Sequence, residues 1–260
     1  MVRNGVTARK VVVESAGGPP DGPVRSRIGT LGEGHLHATL KSLCCEPGAV
    51  YEAPVEGLIV DVVNPGGLVE VQTSGFSRLK PKLQRLLPGH ALRVVLPIPG
   101  EKFLVKVEEG PTGRRELSRR RSPKRGKLLD AFEELVSIAP WLLHPNLTVE
   151  LWLTSEEELR AHQPGKAWRR QGWVVVERRL LDVLATRRFR GADDWGALLP
   201  FAAGEPFDSA ELAQALELPR RLAQQACYTL HHAGLLERLG KRGRAWEYAR
   251  VADPAVPAAP

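Results

Sequence analysis

The stretch that decides the fold of this chain is residues 57–73, GLIVDVVNPGGLVEVQT. Two apolar runs flank the turn signal Asn64-Pro-Gly-Gly67, which predicts two antiparallel β-strands joined by a tight turn. Each run carries one acid, Asp61 in the first and Glu70 in the second. A carboxylate in a buried strand is costly unless it is paired, hydrogen-bonded or bound to a metal. Both acids are therefore candidate functional residues.

The elements on either side of this hairpin predict an α/β fold with a mixed central sheet flanked by helices. Helices are predicted where leucines recur every three or four residues, and strands where short apolar runs stand between turn signals. In chain order these are a helix over Leu31–Leu43, strands Val50–Ala53, Gly57–Val63 and Leu68–Thr73, a helix over Phe76–Leu87, strands His90–Pro97 and Lys102–Glu108, a helix over Lys127–Ile138, and strands Asn146–Leu153 and Gly172–Val176.

The C-terminal part predicts a winged helix-turn-helix domain. Asp208 is a good N-cap, and Glu211 follows three residues later, which is the pattern of a capping box. The predicted elements are helices near 177–188, over Ser209–Leu216 and from Pro219 to Gly234, and then strands Leu235–Leu239 and Ala245–Val251. Helices followed by a two-stranded ribbon give the order of a winged helix.

These elements divide the chain into four parts. The first part, 1–27, is predicted to be a flexible tail, and the second, 28–176, is the main domain. The winged helix domain follows at 177–252, and a Pro/Ala-rich tail at 253–260 is predicted to be disordered.

Composition places the chain among globular proteins. It has 260 residues, 26% charged and 43% hydrophobic, with 3 cysteines, too few for a disulfide framework. No window approaches about 18 uninterrupted apolar residues, so no membrane span is predicted. Residues 1–23 lack the apolar core of a secretory signal. A reducing cytoplasm is the expected location.

The positive charge is concentrated in one segment. The net charge of the chain is +7, and residues 114–125, RRELSRRRSPKR, contribute seven basic residues against one acid, hence +6. Such a run is typical of a loop or arm that neutralises phosphates. The candidate nucleic-acid contacts in it are Arg119, Arg120, Arg121, Lys124 and Arg125. A solvated loop without a partner is the alternative.

The two acids resemble a known catalytic pattern. Glu70 and Gln72 project to the same face of a strand, and the short turn lets Asp61 lie beside Glu70, so both carboxylates can hold one divalent cation. An acid on the second strand and Glu-x-Gln on the third resemble the PD-(D/E)XK nuclease superfamily. The core of that superfamily is a helix, a three-stranded meander, a helix and a strand. The resemblance covers about residues 28–108 and implies a restriction-endonuclease-like core.

The resemblance implies metal-assisted hydrolysis of phosphodiester bonds in DNA. Asp61 and Glu70 would hold Mg²⁺ or Mn²⁺, which lowers the pKa of bound water and stabilises charge on the phosphate. Glu33, in the preceding predicted helix, would act through a second metal or a water. Gln72 would orient the nucleophile.

Position 72 departs from the family pattern, which has Lys there. Gln72 can hydrogen-bond a water but supplies no positive charge. Lys80 or Lys82, on the following predicted helix, would reach back into the site in place of that lysine.

The winged helix residues add a second prediction of DNA binding. Arg and Gln read guanine and adenine edges, and a basic ribbon tip contacts phosphates. The candidate contacts are Arg220, Arg221, Gln224 and Gln225 on the last helix, and Lys241, Arg242 and Arg244 at the ribbon tip.

Several alternatives stay open at this point. The chain can be a catalytically inactive, nuclease-like DNA-binding regulator, or an adaptor whose winged helix contacts protein. The nucleic acid can be DNA or RNA, and a homodimer is compatible with either. A zinc site built from His35, His37, Cys44 and Cys45 is a weaker alternative, because adjacent cysteines are awkward in a tetrahedral site.

Overall fold

A computed structural model describes residues 34–111 and 113–254. The predicted tail at 1–27, most of the tail predicted at 253–260, and Glu33 lie outside these ranges. Within them, the helices are α1 Gly34–Leu43, α2 Lys80–Leu86, α3 Phe132–Leu135, α4 Gly191–Gly196, α5 Ser209–Ala215 and α6 Arg220–His232. The strands are β1 Val50–Val55, β2 Leu58–Asn64, β3 Gly67–Val71, β4 Leu92–Gly110, β5 Gly113–Arg121, β6 Leu147–His162, β7 Trp173–Phe189, β8 Phe207–Asp208, β9 Leu236–Arg242 and β10 Ala245–Arg250.

The central sheet is mixed, as the sequence predicts. Its order is β1-β2-β3-β4-β6-β7, and β5 pairs with β4 outside this path. The strands β1, β2 and β3 form an antiparallel meander, β4 lies parallel to β3 and to β6, and β7 is antiparallel to β6. The molecule is therefore an α/β protein, with a second sheet of order β8-β10-β9 near its C-terminus.

The turn between β2 and β3 is fixed by local hydrogen bonds and by a close backbone approach. Asn64 pairs with Gly67 in the register of the two strands. The Asn64 side chain accepts from the amide of Glu46 and donates to the carbonyl of Cys44. Gly67 has a φ of 151°, and a Cβ at this position would lie 2.9 Å from the carbonyl oxygen of Ala91. Only glycine lets the turn sit this close to the start of β4.

Helices cover both faces of the sheet. Leu36 and Leu40 of α1 pack against Val62, Val69 and Trp152 on one face. The opposite face is covered by α2 and α3, with side chains such as Leu83 and Leu135 fully buried. The leucine spacing that predicts a helix over 76–87 is confirmed, since that stretch forms a 3-10 turn at Phe76–Leu79 followed by α2.

The prediction of a helix near 177–188 is wrong, because this stretch belongs to β7. The spacing of Leu180, Leu181 and Leu184 fits a helix, but the chain pairs along its whole length with β6. Tertiary pairing overrides this local pattern. The boundary predicted between 176 and 177 consequently falls inside a strand of the central sheet.

Two further predictions differ from the structure in the length of the element. The strands predicted at His90–Pro97 and Lys102–Glu108 form one strand, β4, with an irregularity between Pro99 and Glu101. The helix predicted over Lys127–Ile138 is shorter, since only the 3-10 turn Leu128–Ala131 and α3 form there.

The C-terminal helices share one hydrophobic core with the central sheet. Leu212 of α5 and Leu230 of α6 belong to the same buried cluster as Phe132 of α3. Asp208 caps α5 by accepting from the amides of Ala210 and Glu211, so the predicted capping box is confirmed. No helix among the described residues is long and apolar enough to cross a membrane.

Replacing Gly126 with Ala should destabilise the fold. A Cβ there would lie 2.6 Å from the carbonyl oxygen of Pro99 and 3.0 Å from Ile98 Cγ2, so backbone has to move. We expect a loss of about 1–3 kcal/mol in the free energy of unfolding, measured by urea denaturation. The control is Gly89→Ala, whose Cβ meets nothing within 4 Å. Equal stability of the two variants would contradict the packing argument.

Candidate active site

The two predicted acids lie on adjacent strands of the central sheet, Asp61 on β2 and Glu70 on β3. In the antiparallel register, Val62 pairs with Val69 and Val63 pairs with Leu68. Asp61 and Glu70 come next after these paired positions on their strands, and the negative charge of Asp61 acts on Glu70. Asp61 also accepts a 2.9 Å hydrogen bond from the backbone amide of Val71 through Oδ2, which ties it to β3.

Of these two acids, Glu70 has the pKa that is shifted further from its ordinary value. Its side chain is 3% exposed, and Lys82 Nζ donates to Glu70 Oε1 at 2.6 Å. Burial, followed by the negative charge of Asp61, raises the pKa of Glu70 to about 7, although the hydrogen bond from Lys82 acts to lower it. Strongly perturbed carboxyl groups of this kind cluster at functional sites.

Asp61 has a partner that the sequence analysis did not assign to the site, His37 of α1. The Nε2 atom of His37 donates to the carbonyl of Val71 at 2.9 Å and lies 3.3 Å from Asp61 Oδ2. The hydrogen bond with Asp61 raises the pKa of His37. Burial acts to raise the pKa of Asp61, but His37 and the Val71 amide together hold it below its ordinary value. Asp61 is thus the ionised member of the pair.

The spacing of residues on α1 is the pattern in the sequence that points to His37. His37 and Lys41 are four residues apart on α1, next to the buried Leu36 and Leu40, so they lie along one edge of the buried face. Such a position borders the sheet, where a polar side chain can reach the end of a strand.

The lysine at the site is Lys82, whereas Lys80 is exposed and forms no ion pair with any residue that the structure describes. Lys80 is the first residue of α2, and only the lysine two positions later contacts Glu70. Of the two lysines that the sequence analysis names, Lys82 is therefore the one that contacts Glu70.

Gln72 follows β3 and is half-buried. Its backbone amide donates to the carbonyl of Val95 at 2.9 Å, and its side-chain amide donates to the carbonyl of Ser74. The side-chain oxygen of Gln72 is not used by these two bonds. Glu33, the remaining predicted member, lies outside the described residues.

The described residues of this site offer a cation two carboxylates, those of Asp61 and Glu70. Mg²⁺ is commonly bound by one or two carboxylates and completes its shell with water. The two carboxylates have partners on opposite faces of the sheet, His37 of α1 and Lys82 of α2. Burial of Glu70, followed by the charge of Asp61, raises the pKa of Glu70. Among the described residues, no three His, Cys, Asp or Glu side chains are grouped to hold a metal. This also speaks against the zinc alternative, since burial raises the pKa of Cys44 to about 11.

The basic segment 114–125 is a strand rather than a loop or arm. Most of it forms β5, and its arginines face glutamates of the neighbouring strand β4 and of the more distant strands β6 and β7. Arg120 and Lys124 form no ion pair within 34–111 and 113–254. The pairs are Arg114 with Glu109 and Glu177, Arg115 with Glu108, Arg119 with Glu157, and both Arg121 and Arg125 with Glu101.

The predicted nucleic-acid contacts near the C-terminus are mostly exposed. Arg220, Arg221 and Gln224 of α6 are exposed, and Gln225 is half-buried. Lys241, Arg242 and Arg244 are exposed at the tip of the β9–β10 ribbon. Arg242 is held by Glu211 at 2.9 Å and by Glu247, so its charge is already compensated.

Replacing Glu70 with Gln should stabilise the protein above neutral pH. The unfolded carboxyl ionises near 4.5 and the folded one near 7, so the stability that the protonated form confers is complete below about pH 4.5 and is lost as the pH rises through 7. We expect Glu70→Gln to gain on the order of 2 kcal/mol at about pH 8 and little at about pH 4.5, measured by urea unfolding. The exposed Glu116→Gln is the control. An equal effect of Glu70→Gln at both pH values would contradict the assignment.

Comparison with known proteins places the sheet domain in a family. Residues 34–190 match a family described as "Domain of unknown function (DUF8091)". An uncharacterized protein of Treponema pallidum (strain Nichols) is 32% identical over 188 residues, which cover 72% of this chain and 74% of the relative. No solved structure matches the chain. The matched segment contains α1 to β7 and therefore the whole Asp61–Glu70 site. The chain belongs to the DUF8091 family.

Proposed function

We propose that this protein is a divalent-metal-dependent nuclease that hydrolyses phosphodiester bonds in DNA. The observation that carries the proposal is that Asp61 and Glu70 stand on the adjacent strands β2 and β3, close enough for the charge of Asp61 to act on Glu70, with Lys82 bonded to Glu70. Two acids and a lysine at the end of a mixed sheet are the components of the PD-(D/E)XK site. In this chain the lysine comes from α2 instead of from β3.

The order of elements supports the same proposal. Helix α1 precedes the meander β1-β2-β3, and α2 then leads to β4, which pairs parallel with β3. This is the element order of a restriction-endonuclease-like core. The acids stand on the second and third strands of the meander, where that superfamily carries them.

Each side chain of the site has a task in the proposed reaction. Asp61 and Glu70 would hold Mg²⁺ or Mn²⁺. The bound ion supplies Lewis acidity towards the phosphate and a water of lowered pKa. Lys82 places a positive charge beside Glu70 and favours its ionised form. Gln72 offers a free side-chain oxygen that can orient the attacking water.

His37 acts as a positioning residue in this scheme. It bridges Asp61 and the carbonyl of Val71, so it fixes the Asp61 carboxylate at the end of β3. Because Asp61 stays ionised at lower pH than Glu70, the first ligand of the cation is present across the neutral range.

The C-terminal elements support a role in holding DNA. Helices α5 and α6, followed by the ribbon β9–β10, have the arrangement of a winged helix-turn-helix, and exposed arginines lie on α6 and on the ribbon. We place DNA as the partner because these arginines stand beside the core that carries the site. Arg220 and Arg221 are at the start of α6, the helix that contacts nucleic acid in winged helix proteins.

A second candidate is a catalytically inactive, nuclease-like DNA-binding protein. One observation favours it: Lys82 neutralises Glu70 and His37 faces Asp61, so both acids have partners without a metal. In the nuclease, a cation binds the two acids beside these partners or in place of them. In the inactive protein the partners stay and no cation binds.

A cleavage assay tests the proposed activity. Purified protein is incubated with supercoiled plasmid, linear duplex and single strands in the presence of Mg²⁺, Mn²⁺ or EDTA. We expect cleavage with a metal and none with EDTA, and we expect Asp61→Ala to abolish it because a ligand is lost. Unchanged nicking by Asp61→Ala would overturn the assignment of the site, and intact substrates under all conditions would favour the inactive protein.

The two lysines of α2 provide a matched pair of variants. Lys82→Ala should lower the rate of cleavage by about 100-fold or more, because the charge beside Glu70 is lost. Lys80→Ala, which removes an exposed lysine two residues away, should leave the rate within about twofold of the wild type. Equal rates of the two variants in the plasmid assay would remove Lys82 from the site.

Metal binding can be measured without catalysis. Millimolar Mg²⁺ or Mn²⁺ should raise the melting temperature of the wild type by mass action, because the folded state binds the cation. The same addition should leave Asp61→Ala unchanged. A melting temperature of the wild type that does not respond to either ion would support the inactive candidate.

A further inference from the structure

A groove of about 450 Å³ lies between α6 and the ribbon β9–β10. One wall is formed by α6 residues spaced four apart, which therefore share a helix face. The ribbon side of the groove is formed by residues of both strands. The groove is lined by Arg220, Gln224 and Tyr228 of α6, Arg238 of β9, Trp246 of β10, and Arg244 in the turn between the strands.

The groove carries positive charge without compensating acids. Three arginines line it, and no Asp or Glu is present among its described lining residues. Arg220, Arg238 and Arg244 form no ion pair with any residue in the described ranges, in contrast to Arg242 in the same ribbon turn, which contacts Glu211 and Glu247. The two arginines of the ribbon turn therefore differ: Arg242 is paired with two acids, and Arg244 lines the groove. Uncompensated arginines are suited to phosphates.

Two large aromatic rings are exposed beside these arginines. Tyr228 is 46% exposed and Trp246 is 41% exposed. Arg238 and Lys241 lie over the Trp246 ring, at 4.7 and 5.1 Å from its centroid, and the His232 ring lies 4.1 Å from the Tyr228 ring. A base that stacks on either ring displaces one of these neighbours. Exposed aromatic rings in a positively charged groove form the platform on which unpaired bases stack, while the cations follow the sugar–phosphate backbone.

The aromatic rings favour single strands over duplex. In a duplex the faces of the bases are covered by neighbouring base pairs, so Trp246 and Tyr228 have no face to stack on. Unpaired nucleotides expose these faces, and base–aromatic stacking is sequence-tolerant. Arginines alone would not distinguish the two forms, because both carry phosphates.

We propose that this groove binds single-stranded nucleic acid, with phosphates on Arg220 and Arg244 and bases on Trp246 and Tyr228. The inference rests on the proposed function in one respect, namely that the protein acts on nucleic acid. It deepens that function by naming the substrate class, which is strands with unpaired nucleotides near the cleavage site.

The test is a binding measurement in EDTA, where the proposed metal-dependent cleavage is blocked. Fluorescence anisotropy is recorded with fluorescein-labelled oligo-dT and oligo-U of about 20 nucleotides and with a duplex of the same length. We expect the single strands to bind at least about fivefold more tightly than the duplex, and the comparison of dT with U tells DNA from RNA.

Matched variants locate the binding in the groove. Trp246→Ala should weaken single-strand binding by about tenfold, and Trp246→Tyr should restore most of it because a stacking ring is retained. The control is Trp168→Ala, which removes an equally large, 81% exposed ring outside this groove. Arg244→Ala should weaken binding and reduce the salt slope.

The outcomes separate this inference from the proposed nuclease. Tighter binding of duplex, no binding of any oligonucleotide, or equal effects of Trp246→Ala and Trp168→Ala would overturn the single-strand groove. Metal-dependent cleavage with an unaffected Trp246→Ala would overturn the groove alone. Single-strand binding that depends on Trp246, without cleavage in any metal, would support the groove and overturn the nuclease. Circular dichroism of each variant shows that a loss of binding is not a loss of fold.

Discussion

The rest of the structure depends on the pairing of β2 with β3 across the Asn64–Gly67 turn. The short turn sets the register, and the register brings Asp61 to the end of β3, where Asp61 accepts from the amide of Val71. A shift of the register by one residue would turn the side chains of one strand to the other face and separate the acids. The close approach of Gly67 to the carbonyl of Ala91 adds a second constraint, because it fixes the hairpin against the start of β4.

The site combines an unfavourable charge with partners that hold it in place. Burying Glu70 costs free energy, as its pKa of about 7 reflects, and Lys82 offsets only part of that cost. Proteins tolerate such destabilising burial of a charged group at functional sites, because a carboxylate that is already held in position can bind a cation or a proton. His37 performs the corresponding task for Asp61 from the opposite side of the sheet, so α1 and α2 each deliver one partner to the pair.

Charge compensation also shapes the long strands beyond the site. The arginines of β5 face glutamates of β4, β6 and β7, and Glu157, which is largely buried, contacts Arg119. A segment with a local charge of +6 is therefore much less basic in its folded surroundings. Uncompensated positive charge lies instead at the groove between α6 and the ribbon, where Arg220, Arg238 and Arg244 have no acidic partner among the described residues.

The sequence by itself determined the hairpin, the α/β class, the order of elements up to the start of β4, and the capping box of α5, because these depend on periodicity, turn residues and caps that act within a few positions. It also determined that Asp61 and Glu70 lie on neighbouring strands, since a short turn joins those strands as a hairpin. Only the tertiary structure decided that residues 177–188 form a strand, that Lys82 rather than Lys80 reaches Glu70, that His37 faces Asp61, and that most of the arginines in β5 are paired. Each of these depends on contacts between segments distant in the chain, such as β6 with β7 or α1 with the end of β3, and no local pattern specifies such contacts.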